Sequence, residues 1–311
     1  MAHDHSGHNH HHGHGGHGHH HHVPDSGRAF AIGAALNVGF VLVEAAAGLM
    51  TGSLALLADA GHNLSDVLGL LLAWGAAVLA RRAPTGRRTY GLRKSTILAS
   101  LANAGLLLVA VGAIAAEAVR RFGDPQPVET GVVMAVAAIG VVINTATAMM
   151  FMRRQKEDLN VRGAFLHMAA DAAISAGVVV AALAIALTGQ LWIDPLVSLV
   201  IAGVIVVGTW GLLRDSLDLA LDAAPRSIDP AAVRRWLEEQ PGVSEVHDLH
   251  IWALSTTETA LTAHLIRTAG DDADAFLHET CAALSERFGI GHATLQVEGG
   301  GACRLAPSDV V

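Results

Sequence analysis

Long apolar stretches separated by short polar connections occupy the first two thirds of the chain. A helix rises 1.5 Å per residue, so each stretch is long enough to cross a hydrocarbon core of about 30 Å. The pattern predicts six transmembrane helices, near residues 28–50, 55–80, 92–120, 131–152, 163–188 and 196–221. Together they form a predicted transmembrane domain over residues 28–221.

A small soluble domain is predicted after residue 221, where the hydropathy falls. Asp229-Pro230 is typical of a helix start, since proline is tolerated in the first turn. Apolar spacing then predicts two paired strands, a second helix and a last strand, at residues 243–254, 258–267, 272–288 and 292–297. This order predicts an open α+β sandwich, with helices on one face of a sheet, over residues 222–311.

Residues 1–27 contain twelve histidines and almost no apolar side chain. Such a segment buries too little surface to offset its ordering entropy, so we expect it to be disordered. Histidine-rich tracts bind divalent metals. An affinity tag is the alternative, but the longest uninterrupted run is only His19 to His22. We therefore interpret the tail as a metal-binding segment.

The composition agrees with a membrane protein. Hydrophobic residues make up 52% of the chain and charged residues 15%, whereas soluble domains carry about 25% charged residues. Two cysteines, Cys281 and Cys303, do not form a disulfide framework. The formal charge of -8 treats 19 histidines as neutral, so it identifies no partner, and we expect no nucleic acid.

The polar connections alternate in charge. Arginine and lysine are concentrated in residues 81–94 and 153–162, and the opposite connections, 50–54, 123–130 and 188–194, contain neither. The positive-inside rule therefore places both termini in the cytoplasm. Arg120 and Arg121 are the one pair that disagrees with this orientation.

Two His-x-x-x-Asp pairs lie inside predicted spans. His62 and Asp66 belong to the second span, and His167 and Asp171 to the fifth. Residues four apart share one face of a helix. A carboxylate at the bilayer centre costs about 2.5 to 3.5 kcal/mol, so these pairs indicate a functional site. Separate hydrogen bonds to neighbouring helices are the structural alternative, which the repeated spacing disfavours.

Two imidazoles and two carboxylates form a tetrahedral ligand set that suits Zn²⁺. Neutral histidine binds metal and protonated histidine does not, so the same ligands can exchange metal for protons. This predicts proton-coupled metal movement. The ligands also accept Cd²⁺ and Co²⁺, and the sequence does not separate these cargoes.

Other polar residues in the spans have weaker signals. Asp59 shares the stripe of His62 and Asp66, and either supports a ligand or caps a broken turn. Glu44 either lines an access path or makes a structural hydrogen bond. Helix packing is the preferred role for three asparagines, Asn63, Asn103 and Asn144.

The soluble domain accumulates histidines near two acidic residues, Asp248 and Glu298. His247 and His264 lie on the two strands expected to pair, which makes them better metal candidates than the others. Unliganded surface histidines are the alternative for each. The remaining histidines are His250, His278 and His292.

The motifs together resemble the cation diffusion facilitators, especially the bacterial zinc exporters of that family. The resemblance covers residues 28–298, and is carried by residues 54–66, 88–91, 167–171 and 247–252. It implies a homodimer with six transmembrane helices per protomer, a ferredoxin-like cytoplasmic domain, and zinc/proton antiport by alternating access. His62, Asp66, His167 and Asp171 match the transport site of the family.

The resemblance also implies a regulatory metal in the cytoplasmic domain, at His247, His264 and Glu298. Gln296 stands where some bacterial members carry a histidine, so a complete two-metal site is in doubt. His278 is the alternative ligand. Zn²⁺ is therefore expected both as cargo and as a regulator.

Two other classes of protein, intramembrane zinc proteases and membrane-anchored metal sensors, also combine membrane helices with metal ligands. An intramembrane zinc protease needs a general base such as the glutamate of His-Glu-x-x-His, and that motif is absent. A membrane-anchored metal sensor would not need ligands in two spans. The sequence thus favours a metal exporter over an enzyme or a sensor.

Overall fold

The computed structural model describes residues 26–152, 159–268 and 272–299, with side-chain surroundings from residue 38. The expected disorder and metal binding of the histidine-rich tail therefore fall on residues that lie almost entirely outside the described part, as does Cys303. Two groups of elements are described: a bundle of long helices and a small mixed domain.

Six long helices follow one another in the first group. Five of them, α2 to α6, are long and apolar enough to cross a membrane, and the described apolar part of α1 is Val38–Thr51. The largest difference from the predicted limits is at the start of α5, which begins four residues early. The helices are α1 (Ser26–Thr51), α2 (Leu54–Ala80), α3 (Ser95–Gly123), α4 (Thr130–Met152), α5 (Leu159–Thr188) and α6 (Ile193–Ala220).

Helix α2 lies at the centre of the bundle and contacts α1, α3, α5 and α6, while α4 packs mainly on α5. Small side chains such as Ala55, Ala58 and Ala137 fill much of the core between these helices. Small residues let helix backbones approach closely, which is how helices pack in lipid. The outward faces are apolar, with Leu70 and Val109 among the exposed side chains, as expected for surfaces that face lipid.

The first turn of α2 is held by a residue of α6. Ser53 is the N-cap, and its hydroxyl accepts from the Leu56 N–H at 3.2 Å and donates to Asp194 Oδ1 at 2.6 Å. Asp194 also accepts from the N–H groups of Leu54 at 2.8 Å and Ala55 at 3.3 Å. A carboxylate at a helix N-terminus satisfies free N–H groups and the helix dipole. Asp194 therefore joins α6 to α2.

The discordant arginine pair has local partners. Glu117 accepts from Arg121 Nε at 3.0 Å and pairs with Arg120 at 2.8 Å, and Arg121 also donates to the Gly52 carbonyl after α1. Arg121 is thus engaged in holding the end of α1. Its charge is partly neutralised, which explains its position at the end of the bundle where basic residues were not expected.

A close contact between α2 and α3 gives a testable prediction. A Cβ on Gly69 would lie 2.8 Å from Asn103 Nδ2, whereas a Cβ on Gly75 would meet nothing within 4 Å. We expect Gly69→Ala to lower the thermal unfolding midpoint of the detergent-purified protein, because Asn103 must move and its contact with Ser65 at 3.5 Å is disturbed. Gly75→Ala on the same helix is the control and should be neutral or stabilising. Equal midpoints for the two variants would contradict the prediction.

The second group forms a helix-covered sheet in the order predicted. The strands are arranged β1-β2-β3, with β1 antiparallel to β2 and β3 parallel to β2. Its core includes Leu237, Leu261, Leu265 and Leu284. The elements are α7 (Pro230–Glu238), β1 (Val243–Ala253), β2 (Thr259–Arg267), α8 (Ala273–Phe288) and β3 (His292–Glu298).

A bulge in β1 positions its histidines. Val246 and Ile251 both belong to the core although they are five residues apart, a spacing that a regular strand would place on opposite faces. The register shifts between His247 and His250, and Asp248 has a φ of 50° there. The extra residue restores the alternation. His247 consequently lies opposite His264 in the sheet.

Four contacts join the start of α3 to the soluble domain. Each involves exposed or half-exposed groups, so we expect each to be weak individually. The contacts are Arg93 with Glu258 at 2.8 Å, Lys94 with Asp222 at 2.5 Å, the Thr256 N–H with Thr96 Oγ1 at 3.1 Å, and the ring of Tyr90 with that of His292 at 5.5 Å between centroids. The turn that carries these residues requires glycine at Gly91, where φ is 70° and a Cβ would lie 3.1 Å from the Arg82 carbonyl oxygen.

Candidate metal centres

The four side chains of the two His-x-x-x-Asp pairs meet between α2 and α5. They alternate around a ring in which each histidine faces both carboxylates. His62 Nε2 lies 3.8 Å from Asp66 Oδ2 and 3.4 Å from Asp171 Oδ1. His167 Nε2 lies 3.2 Å from Asp66 Oδ2 and 3.6 Å from Asp171 Oδ2. The ring contains the four residues that the sequence predicted would converge.

The spacing of these atoms fits a small divalent ion. Zinc binds histidine nitrogen and carboxylate oxygen at about 2.0 to 2.2 Å in a tetrahedron, which separates neighbouring ligand atoms by about 3.3 to 3.6 Å. The distances in the ring, 3.2 to 3.8 Å, lie close to that range. His62, Asp66 and His167 each offer one ligand atom within 4.8 Å of the others. Asp171 falls outside this tighter group but faces both histidines.

Two buried polar atoms in the ring have no hydrogen-bond partner among the described residues, His62 Nδ1 and Asp171 Oδ1. Asp171 Oδ1 lies within ion-pair distance of His62 Nε2, but no hydrogen bond is formed between them. A buried carboxylate oxygen without a hydrogen-bond donor is unfavourable in a membrane core. A bound cation would satisfy Asp171, and this supports a metal site.

The ring is more open on one side than on the other. The Asp171 side chain is 2% exposed and that of His62 16%, whereas Asp66 is 34% and His167 43% exposed. Asp66 follows His62 toward the end of α2, and His167 precedes Asp171 near the start of α5. Both open residues therefore lie toward the connections rich in arginine and lysine. The more exposed side of the ring is thus the side nearer to those connections.

Asp59 lies outside the ring, one turn before His62, and is fully buried. Ser175 Oγ donates to its Oδ2 at 2.7 Å, and Asn63 Nδ2 lies 3.5 Å from its Oδ1. The same Asn63 amide donates to Glu44 Oε2 at 3.1 Å. Asn63, interpreted from the sequence as a packing residue, thus connects Asp59 to Glu44 beside the ring. Among the described residues Asp59 is bonded to Ser175 and Asn63 and to no ligand of the ring, so its supporting role stays a prediction.

A second candidate centre lies in the soluble domain. His247 Nε2 is 3.4 Å from Glu298 Oε2, and His264 Nδ1 is 2.8 Å from Glu298 Oε1. The side chains of His247 and Glu298 are only 2% and 8% exposed, and His247 Nδ1 has no hydrogen-bond partner among the described residues. One buried carboxylate between two imidazoles is a suitable three-ligand set for zinc.

Two further side chains lie beside this centre, and a third candidate lies away from it. Gln296 donates its amide to Glu298 Oε1 at 3.0 Å, and Asp248 Oδ2 lies 3.5 Å from His264 Nε2. Asp248, one of the two acids noted in the sequence, was not predicted as a ligand, and its place depends on the bulge. His278 lies exposed on α8, and the described residues do not bring it into the cluster of His247, His264 and Glu298. Its role as a ligand stays a prediction.

Two family models match the chain. The cation efflux transmembrane domain matches residues 30–219, and the cation efflux protein cytoplasmic domain matches residues 225–299. The chain belongs to the cation efflux family. The family predicted from the motifs, that of the cation diffusion facilitators of bacterial zinc exporter type, is confirmed.

Three relatives of this cation efflux protein align over most of their length. The zinc transporter ZitB of Escherichia coli K12 is 40% identical over 85% of this chain and 84% of its own. The cation efflux system protein CzcD of Alcaligenes sp. CT14 is 36% identical over 87% and 86%. A protein of Bacillus subtilis 168, named as a cadmium, cobalt and zinc/H⁺-K⁺ antiporter, is 34% identical over 84% and 85%. This chain is thus a multi-pass membrane protein of a transporter family.

Proposed function

We propose that this protein exports Zn²⁺ in exchange for protons, with His62, Asp66, His167 and Asp171 as the transport site. The observation that carries the proposal is the ring of alternating imidazoles and carboxylates, 3.2 to 3.8 Å apart, between two membrane helices. The name of the Escherichia coli relative supports zinc as the cargo, and the name of the Bacillus subtilis relative supports a coupled proton. The same relative's name keeps cadmium and cobalt as alternative cargoes.

The transport cycle follows from the chemistry of the ligands. Zinc enters the ring from the open side formed by Asp66 and His167, which we assign to the cytoplasm. The histidines must be neutral to bind it, so protons leave as zinc arrives. Opening of the other side then releases zinc and lets protons bind. Collapse of an imposed pH gradient must therefore reduce zinc movement.

The proposed membrane arrangement has six spans, formed by α1 to α6, with both termini in the cytoplasm of a bacterial inner membrane. The domain limits are residues 28–221 for transport and 222–311 for a ferredoxin-like cytoplasmic domain. This arrangement is supported by the basic connections at residues 81–94 and 153–162. We also propose a homodimer, in line with a cytoplasmic domain that the family shares.

The cytoplasmic domain would hold a regulatory metal at His247, His264 and Glu298. The fit rests on the buried Glu298 carboxylate between two imidazoles. When bound, the metal supplies a positive charge that Glu298 neutralises. Gln296 and Asp248 orient Glu298 and His264 from either side. We propose that occupancy of this centre draws two cytoplasmic domains together and biases the attached helices.

Proteoliposomes provide the test of the proposed function. The purified protein is reconstituted with a zinc dye and a pH dye inside the vesicles. Zinc added outside should enter through those molecules whose cytoplasmic side faces the outer solution. Its entry should be accompanied by proton release from the vesicles. A sensor that only binds metal would give neither signal. Zinc entry that is unchanged when a protonophore removes the pH gradient would contradict proton coupling.

The regulatory centre gives a separate prediction. Glu298→Gln removes the one carboxylate of the three-ligand set and should weaken zinc binding there by at least about 100-fold, since loss of a residue that only orients a ligand already costs about 10- to 100-fold. At a zinc concentration 100 times Kd, binding stabilises the folded state by about 2.7 kcal/mol, and a hundredfold weaker site retains about 0.4 kcal/mol. The measurement is the zinc-induced shift of the thermal midpoint in full-length protein carrying Asp171→Ala. Glu286→Gln, an exposed change on α8, is the control. A full shift in Glu298→Gln would contradict the assignment.

A further inference from the structure

A second group of buried acids lies beside the transport ring. Glu44 of α1 and Asp59 of α2 are both fully buried. Glu44 Oε2 accepts from Asn63 Nδ2 at 3.1 Å, and Asp59 Oδ1 lies 3.5 Å from the same nitrogen. One neutral amide group is therefore shared by two carboxyl groups.

No cation balances these two acids among the described residues. Neither Glu44 nor Asp59 has an arginine, lysine or histidine within ion-pair distance there, and Glu44 Oε1 has no hydrogen-bond partner. The titratable groups that face the pair from α2 and α5 are His62 and Asp171. Helix α4, which also packs on α1, has no acid or base in residues 130–152. Both of these neighbours are proposed ligands of the ring, one a histidine and one a further acid.

Two negative charges at this place are unfavourable. Each buried carboxylate loses its hydration, and each repels the other, so only one of such a pair can be ionised easily. Asn63 and Ser175 are neutral hydrogen-bond donors and do not replace a counter-charge. The pair therefore favours a state with one proton.

The pair is linked to the ring on its closed side. Asn63 follows the ligand His62 in the chain, and Ser175, which donates to Asp59 at 2.7 Å, lies one helical turn after the ligand Asp171. Asp59 precedes His62 toward Leu54, at the end of α2 opposite the open side of the ring. A change in the charge or position of the ring reaches the pair through these two hydrogen-bonding residues.

We propose that Glu44 and Asp59 form a proton site distinct from the metal ligands, which holds one proton that is exchanged in each transport cycle. The inference rests on the proposed zinc/proton antiport. The proton binds from the outer side when zinc has left. It is released to cytoplasmic water after the next zinc ion brings its positive charge to the ring. Glu44, which touches no ligand of the ring, is the member best suited to a test.

The test is the number of protons moved per zinc ion in proteoliposomes. Zinc entry and internal pH are recorded together for the parent protein and for Glu44→Gln, which keeps the size and hydrogen-bonding capacity of the side chain. The ratio does not depend on the fraction of correctly folded protein, since inactive molecules contribute to neither signal. We expect Glu44→Gln to move one proton fewer per zinc ion. Asp59→Asn should have the same effect.

Glu117→Gln is the matched control, because it removes a carboxylate from a membrane helix at a site where arginines neutralise it. Its ratio should equal that of the parent. The inference is overturned if Glu44→Gln keeps the parent's ratio, or if both Glu44→Gln and Asp59→Asn move no zinc down a zinc gradient. Absence of zinc-dependent proton movement in the parent itself would instead refute the proposed antiport, and the inference with it.

Discussion

Asp171→Ala is expected to abolish zinc export, with a loss of more than about 100-fold in zinc flux. Asp171 is the most deeply buried member of the ring and faces both His62 and His167, at 3.4 and 3.6 Å. Loss of a residue that only orients a ligand costs about 10- to 100-fold in metal affinity. Loss of a ligand itself removes a direct bond and the negative charge that balances the metal.

The folding of this variant can be separated from its metal binding. Asp171 Oδ1 is buried without a hydrogen-bond partner among the described residues, so its removal relieves a desolvated group. We therefore expect Asp171→Ala to keep the thermal midpoint of the metal-free parent within a few degrees. Its zinc-induced stabilisation at the transport site should disappear.

The measurement is zinc flux in proteoliposomes, supported by zinc tolerance of metal-sensitive cells at matched expression. Thr147→Ala is the control in a membrane helix, because the Thr147 hydroxyl donates only to the Ile143 carbonyl of its own helix. The control should transport like the parent. If Asp171→Ala transported as well as Thr147→Ala, the ring would not be the transport site.

The ring of His62, Asp66, His167 and Asp171 was largely predictable from local spacing. A separation of four residues places His62 with Asp66, and His167 with Asp171, whatever the rest of the chain does. Buried polar groups in a membrane need partners, which predicts that two such pairs meet. The spacing does not say which atoms face each other. The contact of each histidine with the aspartate of the other helix depends on how α2 and α5 pack.

Contacts between distant parts of the chain could not be predicted. Glu44 and Asn63 meet because α1 packs on α2, and nothing in their spacing indicates which residues share that interface. Asp248 reaches His264 only because a bulge shifts the register of β1. A one-residue shift reverses the direction of the side chains, and the sequence around Asp248 contains no glycine that would signal it.

Asp194 also makes contacts that the sequence does not predict, and its substitution should have a large effect on stability. It is separated by 140 residues from Leu54, whose N–H group it accepts. We expect Asp194→Ala to lower the free energy of unfolding by about 3 kcal/mol, because three buried donors at the start of α2 lose their acceptor. A charged acceptor is worth about twice a neutral one, so Asp194→Asn should give an intermediate loss.

The measurement is the thermal midpoint of the metal-free protein in detergent, with Asp124→Ala as the control. Asp124 is an exposed acid after α3, outside the core of the bundle, so its removal should change the midpoint little. His62, the first ligand of the ring on α2, lies about two and a half turns beyond the Ser53 cap. Loosening of the cap should therefore weaken zinc flux less than the loss of Asp171 does. Equal midpoints for Asp194→Ala and Asp124→Ala would show that α2 does not depend on α6 for its first turn.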